Sequence, residues 1–396
     1  MNKLKNMIKN PIFRRFYIAQ AVSSFGDWVS YVVIPLIVYN ITKDPVSVAI
    51  FTMCKFIPNI IVAPYLSKLR KKYKSIKLMA FSDLIRGIAF LVYLFTDNTV
   101  VIYFITFSIS TFSAIFNPIK FSIIPKMVLN DEITDANACI AGVSKLMMLI
   151  GPSIGGILMS LFGQNLIIII NSISFFVSLY FVLKISCQED IEDINDNKSN
   201  INDYIKSLLC IWNKRNSIVK FVLLSAVVNC TFGALNTLFP IVSSNFEMSS
   251  VMYGYIMSML GLGLFLGTMI ALKLLNGENC IQIYSYVTIL GAIFLSIFGL
   301  SYNYVLTLIM VLGFSIGNGI QEISFVTYIQ TIGEEDSLEM FTVSQTASSC
   351  LILITTGLSA ILAKFLGTAL TITMLSILTF ISGILILFYN NQNLSK

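Results

Sequence analysis

The sequence predicts an all-α membrane protein of twelve transmembrane helices in two six-helix, pseudo-symmetric halves. Three observations predict it. The 396 residues are 56% hydrophobic and only 12% charged, with a mean hydropathy of +0.82, whereas a soluble domain is roughly 45–50% apolar and about 25% charged. Apolar runs of about twenty residues, the length that crosses the hydrocarbon core, occur twelve times. The longest polar stretch, Ser186 to Ser217, falls between the sixth and seventh runs, giving an N-terminal half 1–185, a cytoplasmic linker 186–217 and a C-terminal half 218–396.

In order, the expected spans are 16–40, 46–67, 78–96, 99–124, 138–162, 165–185, 218–241, 250–275, 281–301, 303–329, 342–364 and 367–389. No cleavable leader is expected: the residues up to Arg15 are basic and polar, and the first apolar run is long enough to span and stay. An even number of spans puts Lys3, Lys5, Lys9, Arg14, Arg15, the 68–77 run KLRKKYKSIK, Lys126, the linker and Lys396 on one face, with only Lys43 and Lys364 near the other. The positive-inside rule makes that face, and both termini, cytoplasmic. The net charge of +6 therefore bears on orientation and not on nucleic acid, which is not an expected partner. Seven cysteines in mostly apolar segments form no CxxC or Cys/His pattern and read as membrane fillers. The absence of histidine leaves carboxylates, lysines and tyrosines for proton chemistry, and no metal or cofactor is expected. Most phenylalanines and tyrosines read as lipid-facing or interfacial.

Two features tie the halves together. Asp44-Pro-Val-Ser entering span 2 resembles Glu247-Met-Ser-Ser entering span 8, and the acidic turn at Asp131, Glu132 and Asp135 is matched by Glu334, Glu335 and Asp336 after span 10. Such weak repetition suits a parallel duplication about an axis along the membrane normal. Between Asn117 and Gly156 the chain closes span 4 with Pro118 and Pro125, crosses the acidic turn, and opens span 5, where Gly151, Pro152, Gly155 and Gly156 predict a tightly packed, bendable helix.

A polar group in lipid must be paired or wet, so intramembrane polar residues mark inward-looking faces. Span 1 carries Gln20, Ser24, Asp27 and Tyr31 at helical spacing; span 4 carries Ser110, Ser113, Asn117 and Lys120; span 7 carries Ser225, Asn229 and Asn236; span 10 carries Ser315, Asn318 and Glu322. If the four stripes converge they enclose a polar cavity, the expected substrate site. Asp27 stands mid-span, where a carboxylate is either paired or able to take up a proton. Lys55, equally central in span 2, is its expected partner, either in proton coupling or in a constitutive pair that only tethers two helices. Glu322, in the inner half of span 10, is a second coupling candidate or a water-facing residue near a helix end. Asp83 and Arg86, three apart near the start of span 3, read as a gate-side ion pair. No GxxxxGK[ST] loop is present, so the chain does not itself hydrolyse a nucleotide. No convincing catalytic constellation argues for an enzyme.

Twelve spans in two halves, a basic turn after span 2 and Gly-Pro-Ser-Ile-Gly-Gly in span 5 together resemble the major facilitator superfamily. Phe13 to Gly26 ahead of Asp27-Trp28, Ile57-Pro58 with Ala63-Pro64, Ser82-Asp83-Leu84-Ile85-Arg86, Phe116-Asn117-Pro118, Ile124-Pro125 and Ala136-Asn137 resemble its macrolide-efflux-like drug:proton antiporter branch. Tyr253-Gly254, Gly261-Leu-Gly, Gly267 and Gln330 to Glu335 continue the likeness, which covers nearly the whole chain. The resemblance implies that the span 5 glycine-proline element marks an exporter, although Met147 stands where an upstream glycine is usual. It also implies a Gly-x-x-x-Asp-Arg gate latch after span 2, where this chain has Ala63-Pro-Tyr-Leu-Ser67-Lys68 with no acid; the turn from Lys273 to Cys280 after span 8 is degraded too.

The expected function is proton-coupled secondary efflux of amphiphilic small molecules, cationic ones and antibiotics among them, by alternating access. Two alternatives stay open: an importer or facilitator of a peptide-like or siderophore-like solute, and a non-transporting sensor or partner subunit, motivated by Ser67. The expected partners are a small-molecule substrate, protons and the lipid of a plasma membrane, with the chain acting as a monomer. The high isoleucine, asparagine and lysine content points to an AT-rich bacterial genome.

Overall fold

The computed structural model describes residues 10–62, 65, 69, 72–129, 132–185, 216–246, 248–275, 279–301, 303–330 and 334–394. Every regular element among them is helical, and twelve helices are long and apolar enough to cross a membrane: Pro11–Thr42, Pro45–Val62, Ser75–Phe95, Thr99–Lys120, Cys139–Phe162, Gln164–Leu183, Lys220–Ser243, Ser249–Leu274, Cys280–Leu300, Tyr304–Ile329, Ala347–Leu366 and Thr368–Phe388. No end departs from the sequence expectation by more than five residues. The linker stretch 186–215, the Ser67–Lys68 turn and Asp131 lie outside the described residues.

Local chemistry explains where several spans begin and stop. Span 1 starts behind Asn10, whose side chain accepts from the Ile12 amide at 3.0 Å, with Pro11 at the first helical position. Asn98 caps span 4 in the same way, accepting from the Val100 amide at 2.9 Å. Gly163 (φ +79°) ends span 5, and Gly367 (φ +85°) separates spans 11 and 12, both in the left-handed region that glycine enters without a steric penalty. Span 1 is two helices, Pro11–Ser30 and Val33–Thr42. Pro35 explains the break: it has no N–H to give the Tyr31 carbonyl one turn earlier, and its ring crowds that carbonyl.

Burial is inverted relative to a water-soluble protein. Asp83, Asn171, Ser178, Ser225 and Ser315 are fully buried, while Phe104, Leu161, Leu272 and Phe365 each expose more than two thirds of their surface. A hydrocarbon solvent selects this arrangement, because it welcomes apolar surface and penalises unpaired polar groups. The expectation that aromatic residues mostly face lipid holds for Phe104 and Phe365 but not for Phe13, Phe16, Phe175, Phe221, Tyr253 and Tyr284, which are fully buried. Their flat, bulky side chains fill the seams between helices.

The chain divides into two compact units. The first comprises Met1–Lys43, Ile50–Asp196 and Met248–Ser258, so it holds most of spans 1–6 plus the start of span 8. In it, span 1 packs on spans 5 and 6, and span 3 on spans 4 and 6. Its core gathers Phe13, Phe16, Met79, Phe116, Ile119, Ile123, Ile140 and Val182. The second unit comprises Asp44–Ala49, Asn197–Glu247 and Met259–Lys396. There span 9 packs on spans 10 and 12, and span 7 on spans 11 and 12, around Phe221, Tyr284 and Ile386. The second unit also holds an ion pair between Lys364 and Asp44 at 3.3 Å.

Candidate functional site

Inside the first unit lies a cavity of about 350 Å³. Gln20, Ser24, Asp27 and Tyr31 face it from span 1, Lys55 and Asn59 from span 2, Arg86 from span 3, and Ser110, Ser113, Asn117 and Lys120 from span 4. Two of the four polar stripes read from the sequence therefore converge, with Lys55 between them. Span 1 is held in place by a close approach at Gly26. A side chain there would collide with Ser174 and Asn171 of span 6, so glycine is what lets these two helices meet. Just beyond, the break at Tyr31 interrupts the helix where it borders the cavity.

Asp27 opens into this space with no ion-pair partner within 4.0 Å among the described residues. Asn171 hydrogen-bonds its carboxylate. The same carboxamide donates to Ser30 Oγ at 2.8 Å, and Ser30 Oγ donates in turn to the Asp27 backbone carbonyl at 3.1 Å. Arg86, Lys120 and Lys55 all lie within electrostatic reach of Asp27. Lys55 Nζ rests 4.0 Å from the centre of the Tyr31 ring and 5.8 Å from that of Phe51, a cation–π contact worth about 0.5–2 kcal/mol. The two charges thus share a cavity without forming the tethering pair weighed above.

Asp83 and Arg86 form an ion pair with both side chains buried. Ser178 Oγ donates to the other Asp83 oxygen at 2.8 Å. The Arg86 guanidinium lies 4.4 Å from the Phe116 ring centre and 4.6 Å from that of Phe175, which shields it from lipid. The pair stands in the middle of Ser75–Phe95, deeper than its expected place near the start of the span.

Of the C-terminal residues read from the sequence, Asn318 lines a cavity of about 10 Å³ in the second unit with Gln321 and Thr288, a space for about one water molecule. Gln321 Nε2 donates to Thr288 Oγ1 at 2.7 Å, and Asn318 Nδ2 is buried with no hydrogen-bond partner. Asn236 is buried and donates to the Phe232 carbonyl at 3.0 Å. Asn229 and Glu322 are exposed and do not line that cavity. In span 5, Gly155 packs directly on the backbone of Val29, Gly151 on Trp28, and Gly156 on Ser250, all within the first unit. Beside them, Ser153 Oγ donates to Ser258 Oγ at 2.7 Å.

A helical bundle with this site invites comparison with known carriers. The family model of the Major Facilitator Superfamily matches residues 16–338. The chain belongs to that superfamily. As a member it is a membrane transporter and not an enzyme. It is 25% identical over 291 residues, 70% of each chain, to a protein of Bacillus subtilis (strain 168) named "Putative bacilysin exporter BacE". A protein of the same name from Bacillus amyloliquefaciens is 22% identical over 316 residues, covering 75% of this chain and 74% of that one. Among solved structures, a bacterial homologue of the iron transporter ferroportin in an inward-facing state superposes with a TM-score of 0.77 at 14% identity, covering 96% of this chain and 98% of that one. The nucleoside transporter NupG gives 0.76 at 9% identity, with the same two coverages. At such identities the superpositions speak for the fold alone.

Within this superfamily member, sequence reading overlooked the contribution of span 6. Asn171, Ser174 and Ser178 sit at intervals of three and four residues. They serve Asp27, Gly26 and Asp83 in turn. That periodicity was the available signal, and it was hidden because serine is common in membrane helices.

Proposed function

We propose that the protein is a proton-coupled exporter of amphiphilic small molecules, antibiotics among them, in which two six-helix halves, 1–185 and 218–396 joined by the linker 186–217, alternate access to a central site. The observation that carries the reading is Asp27: a carboxylate facing a polar cavity with no ion pair to hold it, beside Lys55. A carboxylate so placed can exchange a proton as the cavity fills and empties. Lys55 and Glu322 are the further coupling candidates, while Asp83, Arg86 and the glycines around Pro152 act in gating. Gln20, Ser24, Tyr31, Ser113 and Asn117 contact the substrate, with Asn229, Asn236 and Asn318 contributed by the second half. Relatives named as exporters support the outward direction. The distribution of lysine and arginine supports cytoplasmic termini in a bacterial plasma membrane, with the protein acting as a monomer.

The test uses a bacterial host lacking its own pumps and a panel of dyes and antibiotics. Expression should lower their retention, collapsing the proton gradient should abolish the effect, and Asp27→Asn should remove substrate-driven proton flux in vesicles. Undiminished flux in Asp27→Asn ends the coupling role of Asp27, and accumulation of label in place of loss reverses the direction.

A further inference from the structure

Span 1 begins and span 6 ends at the same membrane interface, and there the two are joined. The Arg15 guanidinium donates to the Lys184 carbonyl at 2.6 Å, just past the C-terminal end of span 6. Lys184 does not extend its amine away from the helix toward water, as a lysine at a span end usually does. It reaches back one turn to donate to the Tyr180 hydroxyl, with Nζ 4.2 Å from the centre of that ring. Arg15 also lies within electrostatic reach of Tyr180. Two cations and a phenol are thus gathered about one turn inside the end of the span, the depth at which lipid headgroups lie.

Neither cation makes an ion pair among the described residues. Each spends one donor on the bonds just named and keeps others. Tyr180, which accepts from Lys184, retains its own hydroxyl proton to give. Running away from the cluster, Ile169, Ile173, Tyr180 and Leu183 are exposed at helical spacing along one face of span 6. That stripe is about 21 Å long at about 1.5 Å per residue, deeper than one leaflet of a hydrocarbon core about 30 Å thick. Any lipid-facing helix carries such a stripe; what sets this one apart is the pair of cations at its end.

We infer that the cluster seats one anionic phospholipid, its phosphate on Arg15 and Lys184 with the Tyr180 hydroxyl donating, and an acyl chain along the stripe. Charge-assisted bonds to phosphate oxygens are among the strong ones, and the planar fork of arginine can make two at once. A zwitterionic headgroup would bring an ammonium group to cations that have no acid paired with them, so a lipid of net negative charge is preferred. The acidic residues that follow in the sequence, Glu189, Asp190, Glu192 and Asp193, are the competing occupant. The reach of Lys184 back along span 6, away from the onward chain, favours the lipid.

The experiment uses the full-length protein in detergent with equal amounts of dioleoylphosphatidylglycerol and dioleoylphosphatidylcholine, and native mass spectrometry reads the most tightly held lipid. Each basic group beside an anionic lipid is worth about fivefold, so the glycerol lipid should be retained about 25-fold over the choline lipid. Lys184→Gln should lower that preference to about fivefold, and Arg15→Ala with Lys184→Ala should bring it near parity. Lys184→Arg, which keeps the charge, should preserve it. Lys220→Ala with Lys273→Ala removes two exposed lysines of the second unit and should leave it unchanged. No preference in the wild type, or an equal loss from the second-unit pair, overturns the inference. A preference that appears only after Glu189→Gln, Asp190→Asn, Glu192→Gln and Asp193→Asn gives the seat to those acids and overturns it too. So does displacement of the lipid by excess inorganic phosphate, which brings no acyl chain to the stripe. Should the double alanine variant not fold, Lys184→Gln decides.

Discussion

Gly155 offers the sharpest test of how span 5 is built. A Cβ placed there would lie 2.9 Å from the Val29 carbonyl carbon and 3.2 Å from Val29 Cα, closer still to the carbonyl oxygen. All three atoms are backbone, so none can swing away as a side chain could. Gly142, in the same helix, has nothing within 4 Å of the equivalent position. Replacing a mid-helix glycine by alanine gains about 0.5–1 kcal/mol from the lost freedom of the unfolded chain. Forcing a methyl into a filled contact costs about 1–3 kcal/mol. Gly142→Ala should therefore stabilise the protein by the first amount. Gly155→Ala should lose up to about 2.5 kcal/mol net, the overpacking cost less the helical gain. Thermal unfolding of the two purified variants in the same detergent measures the difference. Equal unfolding temperatures would show that spans 1 and 5 do not cross with backbones in contact, and the packing argument would be wrong.

Three other substitutions probe separate contacts. Asp83→Ala strands the Arg86 guanidinium between Phe116 and Phe175 and should cost about 3–5 kcal/mol, read as a fall in unfolding temperature and folded yield; a neutral outcome would mean the pair is not buried. Pro35→Ala returns a donor to the Tyr31 carbonyl, so the amide introduced at position 35 should be protected from exchange, and fast exchange there would point to another cause for the break. Lys364→Ala removes an ion pair whose lysine is half exposed and should change stability by less than about 1 kcal/mol; a larger loss in the same unfolding assay would show that the contact is more than a surface pair.

Much of this molecule was legible in the sequence because lipid imposes a strong rule. Twenty apolar residues in a row have few other uses, which is why even the ends of Cys139–Phe162 and Gln164–Leu183 were within two residues of expectation. The site was legible in part. Asp27, Tyr31, Asn117 and Lys120 came together because intramembrane polarity at helical spacing has to face something wet. What stayed hidden depended on three-dimensional neighbours. Lys55 rests on the Tyr31 ring and not on Asp27, an arrangement that spacing along spans 1 and 2 does not encode. Arg86 lines the cavity with Phe116 and Phe175 flanking it, neighbours that no spacing within span 3 encodes. Pro35 was in plain view, yet its effect on Tyr31 became evident only once the two helices of span 1 were seen as separate.

Alternating access requires that the Asp27 cavity be reached by water from each face of the membrane in turn. Single cysteines introduced as Ser24→Cys and Asn117→Cys, in a background with the native cysteines replaced, can be challenged with a charged thiol reagent applied from one side or the other. Labelling from both sides is expected, with substrate and proton gradient shifting the balance between them. Labelling from one face only under every condition, or from neither, contradicts it.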